Sequence, residues 1–341
     1  MSQYKKAGVD IELQNRLLEN LKKDIKALRR KEVISSIGSF GGLFSIPLKK
    51  YKNPVLVSSC DGVGTKILLA IKYDKLEVLG YDIVCHCVND ILVQGVTEPL
   101  FFMDYFGCEK LKGDIFHRVL KGIIKGCKEN GLTLLGGETA ELSGMYPEGV
   151  FDIVGFIVGI VERKEILPKK NLKEGDLIYG LPSTGLHTNG YTLVRKIIKD
   201  RGFSLRESPF PLKRPLGDLL LQPHISYLKI LKKPIREGKI KALAHITGGG
   251  FIDNIPRVLP KNLKASIQKN SWEVLPIFKF LEREGKIREE ELYKVFNMGI
   301  GMVIIISRKD KIWLEDYFKK ERQKFYLLGE LEKGKGEVQI K

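Results

Sequence analysis

Hydrophobic residues recur along this chain with two different spacings, which predict alternating helices and strands. Between residues 11 and 31, the helical steps of three and four are made by Leu13, Leu17, Leu21, Ile25 and Leu28. Further helical patterns lie at 65–73, 80–94 and 114–129. Runs typical of strands lie at 54–58, 100–106, 132–136 and 150–161. The first half of the chain is therefore predicted to be an α/β unit.

The second half repeats this alternation after a polar segment. Residues 162–175 are polar and contain Pro168, which is typical of a linker. Beyond them, strands are predicted at 177–181, 241–246, 263–268, 301–307 and 325–331, and helices at 190–200, 215–231, 250–258 and 275–294. We therefore expect an α/β protein with mixed sheets, comprising an N-terminal domain over residues 1–165 and a C-terminal domain over residues 172–341.

Composition and charge narrow the classes of function. The chain has 341 residues, with 58 Lys and Arg against 41 Asp and Glu, and thus a formal net charge of +17. The basic residues are scattered and show neither zinc-finger spacing nor an aromatic-interleaved RNA motif, which favours a solvated basic surface over a nucleic-acid interface. Such a surface would attract anionic metabolites.

The first residues and the cysteines indicate an intracellular protein. Residues 1–10 are polar and lack the apolar core of a signal peptide, and no apolar run reaches the ~20 residues that cross a bilayer. The five cysteines are an odd number without zinc-ribbon spacing, so we expect reduced thiols. The expected location is the cytoplasm, with no membrane contact.

Five loops combine glycine with polar or ionisable residues directly after apolar runs. Glycine lets backbone N–H groups approach an anion closely, because no Cβ intervenes and positive φ angles are allowed. Several such loops could hold phosphates. They cover residues 38–44, 60–66, 136–141, 183–190 and 245–250.

Acidic residues in and near these loops are candidate metal ligands. The loop at 60–66 offers the carboxylate of Asp61 to Mg²⁺, although its Gly-Thr-Lys order excludes a P-loop and an ordinary glycine turn stays possible. Asp90 lies on an apolar helix, where a carboxylate is costly unless it binds metal, is paired or faces solvent. We favour Asp61 and Asp90 as Mg²⁺ ligands. Asp104 joins them or caps a loop, and Glu138 projects from the end of a sheet.

Two histidines in glycine loops are candidate acids or bases. His187 and His245 lie beside glycine clusters, and an imidazole can carry a proton in either direction at cellular pH. A structural role through backbone hydrogen bonds is the alternative for each. The sequence Cys85-His86-Cys87 is predicted to be core, because residues two apart on a helix point in different directions and cannot share one metal ion.

Read in order, these segments resemble the phosphoribosylformylglycinamidine cyclo-ligases, also called aminoimidazole ribonucleotide synthetases. The match runs nearly end to end, and the ordered set of motifs is specific where each motif alone is weak. The motifs are Tyr4–Ile11, Gly41–Phe44, Asp61–Lys66, Cys87–Gly95, Gly136–Glu141, Gly185–Tyr191, His245–Gly250 and Phe296–Met302.

The resemblance implies an enzyme of purine biosynthesis. It implies ATP-dependent closure of formylglycinamidine ribonucleotide to 5-aminoimidazole ribonucleotide, through a phosphorylated formamide, with release of ADP and phosphate. It also implies ATP and Mg²⁺ in a cleft between the domains, and a homodimer whose N-terminal sheets pair into a barrel. Rival hypotheses are a selenide- or thiamine-phosphate-type kinase of the same superfamily, or a basic nucleic-acid-binding protein.

The same resemblance implies roles for individual residues. Asp61 and Asp90 would bind Mg²⁺, and His187 with Asn189 would line the substrate pocket during cyclisation. His245 would bind phosphate or substrate from the second domain together with Thr247. The nucleotide would contact Gly41, Gly42, Gly62, Gly64, Thr65, Lys66 and Glu138. Departures from the family pattern include His86, a longer loop at Val96-Thr97, and His224 after Pro223 where threonine is frequent.

Overall fold

The computed structural model describes residues 11–36 and 38–341, so the motif at residues 4–10 lies outside the described residues. The chain packs into two compact units. The first comprises the described residues up to Ile91 together with Glu98–Glu162. The second comprises Leu92–Thr97 and Arg163–Lys341.

The first unit is a four-stranded mixed sheet with helices. In chain order its elements are α1 (Ile11–Ala27), β1 (Pro54–Gly62), α2 (Lys66–Tyr73), α3 (Glu77–Leu92), β2 (Glu98–Cys108), α4 (Gly113–Asn130), β3 (Thr133–Glu141) and β4 (Phe151–Glu162). The strand order is β1-β4-β2-β3. Only β2 and β3 run parallel, and the other neighbours are antiparallel. The predicted mixed α/β architecture is confirmed.

Helix α1 buries four of the five apolar positions that the spacing predicts, and the fifth, Leu13, is half-buried. Leu17, Leu21 and Ile25 are buried, as is Leu28 just beyond the end of the helix. Its basic residues lie on the exposed side, where their charges stay hydrated. The helix ends at Ala27, a few residues earlier than predicted.

Helices α3 and α4 approach each other closely at two glycines. A Cβ on Gly80 would collide with the Val119 carbonyl oxygen, and a Cβ on Gly122 would collide with that of Glu77. Backbone therefore meets backbone where the two helices pack. This contact fixes the position of α3, which carries Asp82, His86 and Asp90.

The second unit is a six-stranded sheet with seven helices among the described residues. Its strands are β5 (Leu177–Pro182), β6 (Ala242–His245), β7 (Leu263–Ile267), β8 (Ile300–Ile306), β9 (Tyr326–Lys333) and β10 (Val338–Ile340). Its helices are α5 (Tyr191–Arg201), α6 (Leu216–Leu220), α7 (Leu228–Arg236), α8 (Gly250–Asn254), α9 (Pro276–Gly285), α10 (Glu289–Val295) and α11 (Lys311–Lys320). The strand order is β10-β7-β9-β5-β8-β6. Only β10 and β7 run parallel.

Several predicted boundaries are wrong, for local physical reasons. Strand β1 continues to Gly62 because it stays hydrogen-bonded to β4, so Asp61 lies in a strand rather than a loop. Likewise, β3 extends through Glu138 to Glu141, so Glu138 does not project from a sheet end. The helix predicted over 215–231 is two short helices, and Pro223 and His224 lie in the irregular segment between them.

The cysteines are arranged as the sequence predicts. All five cysteines are free thiols, and Cys85 and Cys87 are buried in the core as predicted. Among the described residues, no helix combines the length and the apolar character needed to cross a membrane.

We expect Gly122→Ala to destabilise the first unit by about 1–3 kcal/mol, because the added methyl group has no space between α3 and α4. Thermal unfolding followed by circular dichroism measures this change. Lys121→Ala is the matched control, since Lys121 is exposed on the same helix and its truncation adds no atom to the contact. Equal melting temperatures for both variants would contradict the close packing.

Candidate active site

Two predicted acidic ligands face a common histidine in the first unit. Asp61 lies near the end of β1, and its Oδ2 is 2.8 Å from His86 Nε2. Asp90 Oδ2 lies 3.6 Å from the same nitrogen. Ser59 donates its hydroxyl to Asp90 Oδ2 at 3.1 Å. The side chains of Asp61 and Asp90 are 44% and 27% exposed, so both reach solvent. The structure thus brings the two predicted carboxylates to one place.

The electrostatics of this group centre on His86. Burial disfavours its charged form, but the hydrogen bond to Asp61 and the nearby charge of Asp90 outweigh burial and raise the pKa of His86. The same contact lowers the pKa of Asp61, against the opposing effect of burial. His86 therefore offsets the repulsion between two ionised carboxylates. Oxygen donors that are ionised and open to solvent suit Mg²⁺.

Asp104 lies apart from this pair, so the structure does not bring it to Asp61 and Asp90 as a third ligand of one metal ion. Asp61 and Asp104 both pair in register with Gly155, from opposite sides of β4. Two strand spacings separate their backbones, about 10 Å. The sheet itself holds these carboxylates apart.

Asp104 instead lines a cavity of about 230 Å³ in the first unit. The cavity also contacts Glu138 on β3 and the glycine loop that carries Gly41 and Gly42. Gly137 faces Asp104, and a Cβ there would lie 2.6 Å from the Asp104 carboxylate. The structure therefore gathers four predicted residues, namely Gly41, Gly42, Asp104 and Glu138, around one hollow beside the sheet.

Lys66 is not available to contact a phosphate, which corrects its predicted role. Its side chain is completely buried and its Nζ lies 2.5 Å from Asp82 Oδ2, which is also completely buried. Burial lowers the pKa of Lys66, and the charge of Asp82 acts in the opposite direction. Lys66 is the first residue of α2, and Asp82 belongs to α3. The ion pair joins these two helices.

The turn between β1 and α2 keeps the other predicted features of its loop. The Gly62 N–H donates to Asp61 Oδ1 at 2.7 Å, and Gly64 has the positive φ of 56° that glycine tolerates. Thr65 immediately precedes α2 and is partly exposed. The turn thus presents backbone N–H groups at a helix N-terminus next to the Asp61 carboxylate.

The predicted histidines of the second unit come together around a third one. His187 and His224 stack with ring centroids 4.0 Å apart and an interplanar angle of 18°. His224 Nε2 lies 3.1 Å from His245 Nε2. All three side chains are buried. His187 has a positive φ of 61°, and its ring lies close to Gly301, where a Cβ would approach His187 Cε1 to 2.6 Å.

Asn189 and Thr247 lie on the two loops that supply these histidines. A Cβ on Gly248 would lie 3.1 Å from Asn189 Oδ1, so the loops at 183–190 and 245–250 touch. The hydroxyl of Thr247 lies 3.4 Å from Asn254 Oδ1. The structure therefore gathers His187, Asn189, His245 and Thr247 on one side of the second unit.

Comparison with known proteins assigns both halves of the chain to one family. The family model described as AIR synthase related protein, N-terminal domain, matches residues 46–161. The model described as AIR synthase related protein, C-terminal domain, matches residues 173–341. The phosphoribosylformylglycinamidine cyclo-ligase of Geobacillus thermodenitrificans is 47% identical over 98% of this chain and 96% of its own length. That of Thermoanaerobacter pseudethanolicus is 48% identical over 98% and 99%, respectively.

The chain belongs to the phosphoribosylformylglycinamidine cyclo-ligase family. It is therefore an ATP-using ligase of purine biosynthesis.

Solved structures support the same fold at lower sequence similarity. A thiamine-monophosphate kinase from Stenotrophomonas maltophilia matches with a TM-score of 0.69 and 14% identity, covering 94% of this chain and 95% of its own. The hydrogenase maturation protein HypE in complex with ATP matches with a TM-score of 0.69 and 14% identity, covering 96% and 90%. At this identity the likeness concerns the fold alone. The rival kinase hypothesis is not favoured, because the cyclo-ligase relatives are far more similar.

Three residues of this cyclo-ligase family member have roles that sequence reasoning did not assign. Asp82 neutralises Lys66, His86 bridges Asp61 and Asp90, and His224 joins His187 to His245. The helical spacing of Asp82, His86 and Asp90 was a usable signal, since residues four apart share a helix face. For His224, the signal was its departure from the family pattern. Neither the helical spacing nor the departure from the family pattern predicts which residue each of these side chains contacts.

Asp104→Asn tests the half-buried carboxylate that lines the cavity. Burial raises the pKa of Asp104 from 3.8 to about 7, so the folded state binds this proton more tightly than the unfolded state. The neutral Asp104 carboxyl therefore adds its full contribution to the free energy of unfolding below pH ~4, and this contribution is lost as the pH rises toward ~7. We expect the variant, which does not ionise, to melt at least about 3 °C above the wild type at pH 8 and at nearly the same temperature at pH 4.

Thermal scans of the nucleotide-free protein at both pH values measure this difference, with the exposed Asp114→Asn as the control. An increase of the same size at pH 4 and pH 8 would show that ionisation of Asp104 is not its cause.

Proposed function

We propose that this protein closes the imidazole ring of 5-aminoimidazole ribonucleotide from formylglycinamidine ribonucleotide, using one ATP and releasing ADP and phosphate. The observation that carries this proposal is the full-length similarity to curated cyclo-ligases at 47–48% identity. The clustering of acidic residues in one unit and histidines in the other supports it, because phosphoryl transfer and proton transfer need these groups.

The chemistry answers a physical difficulty in the substrate. A formamide carbon is a poor electrophile and its oxygen is a poor leaving group. Transfer of the γ-phosphoryl group to that oxygen breaks the bond to ADP and gives an imidophosphate. The neighbouring amidine nitrogen then attacks the activated carbon, the five-membered ring closes, and the carbon–oxygen bond breaks with release of phosphate and one proton. The protein mainly positions the reactants and neutralises charge.

We propose that the first unit holds the nucleotide. Asp61 and Asp90 would bind Mg²⁺, which neutralises phosphate charge when bound. The turn formed by Gly62, Gly64 and Thr65 would let the phosphates approach the backbone N–H groups at the N-terminus of α2. The cavity with Gly41, Gly42, Asp104 and Glu138 would hold the remainder of the nucleotide. Asp104, which lines this cavity, lies about two strand spacings from Asp61, a distance that one ATP molecule spans.

We propose that the second unit acts on the ribonucleotide. His187 and Asn189 would contact the atoms that react during cyclisation, and His245 with Thr247 would bind a phosphate or another polar group of the substrate. These four residues share one face of the unit, where two glycine loops touch. An imidazole whose ring is held by its neighbours can give or take a proton at a defined nitrogen near neutral pH.

The net charge of +17 has a role in this proposal. ATP and a ribonucleotide monophosphate are both anions, and a positive protein surface raises their local concentration and association rate. We assign the charge to these substrates and propose no nucleic-acid partner. The five free thiols fit a reducing compartment such as the cytoplasm.

We also propose a homodimer formed through the outer face of the first sheet. Leu56 on β1 is 53% exposed and Phe156 on β4 is 39% exposed. Leu56 and Cys60 are each an odd number of residues from Asp61 along β1, so their side chains point to the opposite face of the sheet. Phe156 pairs with Cys60 and therefore lies on that opposite face as well. Apolar side chains in neighbouring strands are costly to leave in water. A second copy of the same sheet would cover them.

Purified protein is expected to release phosphate from ATP only when formylglycinamidine ribonucleotide is present. Asp61→Asn and Asp90→Asn should each lower this substrate-dependent turnover by about 100-fold or more, because a lost carboxylate removes stabilisation of the transferring phosphoryl group. Phosphate release and formation of the aminoimidazole product measure the turnover.

Asp114→Asn is the matched control, because Asp114 is an exposed carboxylate on α4 outside the site. ATP hydrolysis independent of the ribonucleotide would overturn the proposed reaction. Full turnover in both Asp61→Asn and Asp90→Asn would instead overturn the metal assignment alone.

The double variant Leu56→Lys with Phe156→Lys should convert the dimer into a monomer. Each copy would bring two lysine charges into the interface, where they would be buried against the two lysine charges of the other copy. Light scattering after size-exclusion chromatography measures the mass in solution. Leu327→Lys is the control, since Leu327 is 40% exposed on β9 of the second unit. A double variant that elutes as a dimer would exclude this face as the interface.

A further inference from the structure

The last motif of the family resemblance, residues 296–302, has no role in the proposed function. It contains the turn between α10 and β8 and the first residues of β8. Strands β5 and β8 are antiparallel neighbours, and Pro182 at the end of β5 pairs with Ile300 at the start of β8. The turn therefore lies beside the loop at 183–190, which follows β5 and carries His187.

Asn297 joins this turn to the loop through its side-chain amide. It is buried, with 3% of its surface exposed. Its Nδ2 donates to the Gly185 carbonyl oxygen at 2.9 Å, and its Oδ1 accepts from the Gly299 N–H at 2.9 Å. The Ser183 hydroxyl lies 2.8 Å from the Gly185 oxygen and 3.2 Å from Asn297 Oδ1. The amide thus links the backbone of the turn to the backbone of the loop.

These contacts allow only one orientation of the Asn297 amide. A backbone N–H only donates and a backbone carbonyl only accepts, so Oδ1 has to face Gly299 and Nδ2 has to face Gly185. The bond to Gly299 closes an Asx turn around Met298, whose φ is positive at 48°. Aspartate would match the shape of this side chain, but an ionised carboxylate has no hydrogen to offer the Gly185 oxygen.

The same turn also contacts the far end of the loop. Gly190 has a φ of 82°, and a Cβ on it would lie 2.4 Å from the Phe296 ring. At the near end, the Ser183 N–H donates to the Gly299 carbonyl oxygen at 2.8 Å. His187 lies between these ends and has a positive φ of 61°, which a residue other than glycine keeps only where the surrounding structure holds it. The loop is therefore fastened on both sides of His187.

We propose that Asn297 is a positioning residue, which holds the loop at 183–190 in the conformation that presents His187 and Asn189 to the reacting atoms. This inference rests on the proposed function, which gives those two side chains their roles in cyclisation. Asn297 acts on the backbone of the loop, so its effect on the reaction is indirect. A displacement of about 1 Å near the reacting atoms can lower the rate by about 100-fold. Loss of the amide is therefore expected to slow the chemical step.

A second buried asparagine holds the other glycine loop of this unit. Asn254 is 3% exposed, and its Nδ2 donates to the carbonyl oxygens of Gly250 at 2.7 Å and Gly248 at 3.2 Å. That loop, residues 245–250, carries Thr247, so each loop has its own asparagine. Asn254 therefore supplies a matched comparison, in which the same substitution disturbs the other loop.

The kinetic test compares Asn297→Ala with Asn297→Asp. Alanine removes both hydrogen bonds, and ionised aspartate sets two acceptors against each other at Gly185. We expect both variants at pH 9 to lower kcat at least about 10-fold with KM for ATP changed less than about twofold, because the change lies in the second unit and the nucleotide is assigned to the first. A protonated carboxyl donates as the amide does, so only Asn297→Asp should recover turnover relative to the wild type at pH 6.

Asn262→Asp is the kinetic control, because Asn262 is an exposed asparagine of the same unit. Rates are compared per folded protein, as measured by circular dichroism, and the alanine variant keeps the test valid if aspartate prevents folding. A kcat within about twofold of the wild type in both Asn297 variants at pH 9 would overturn the inference.

The decisive readout is local hydrogen exchange, which separates positioning of one loop from a general loss of stability. In nucleotide-free protein, we expect Asn297→Ala to accelerate deuterium uptake at residues 183–190 at least about fivefold, with uptake at residues 245–250 changed less than about twofold. Asn254→Ala should show the reverse pattern. Equal acceleration of both loops in Asn297→Ala, or acceleration of neither, would overturn the positioning role.

The two measurements also separate this inference from the proposed function. If the wild type shows no ribonucleotide-dependent turnover, the proposed function fails, whereas hydrogen exchange still decides whether Asn297 holds its loop. If the wild type and both Asn297 variants turn over the ribonucleotide equally well, the proposed function stands and the positioning role fails.

Discussion

The geometry of the first unit depends on how closely helix α3 can approach its neighbours. On the sheet side, Gly155 has no side chain, and a Cβ there would collide with the ring of Phe102 and lie 2.8 Å from Ile83. On the helix side, α3 and α4 touch backbone to backbone at Gly80 and Gly122. Bulk at any of these glycines would push α3 outward. The carboxylate of Asp90 would then leave Asp61.

The first unit uses the same kinds of charge in two opposite ways. Lys66 and Asp82 are completely buried and form an ion pair with each other. They therefore join two helices and are not accessible to a substrate. Asp61 and Asp90 remain partly exposed, and His86 offsets their repulsion. The difference lies in burial and not in residue type. Only the open pair can exchange its partner for a metal ion or a phosphate-bearing ligand.

The second unit brings its histidines together from three separate parts of the chain. His187 follows β5, His245 ends β6, and His224 lies between α6 and α7. Glycines make this possible, since the two loops touch where Gly248 lies next to Asn189. Because these buried imidazoles contact one another, the position of the proton on one ring depends on the positions of the protons on the others.

The amino-acid sequence by itself determined the alternation of helices and strands, the two-part α/β organisation, the buried face of α1 and the family, because periodicity and ordered motifs are local properties. It also indicated Asp61, Asp90, His187 and His245. Tertiary structure alone decided that Lys66 is sealed by Asp82, that Asp104 lies two strands from Asp61, and that His224 joins two other histidines. These outcomes depend on strand register and helix packing, which bring together residues far apart in the chain, and no local pattern encodes such distances.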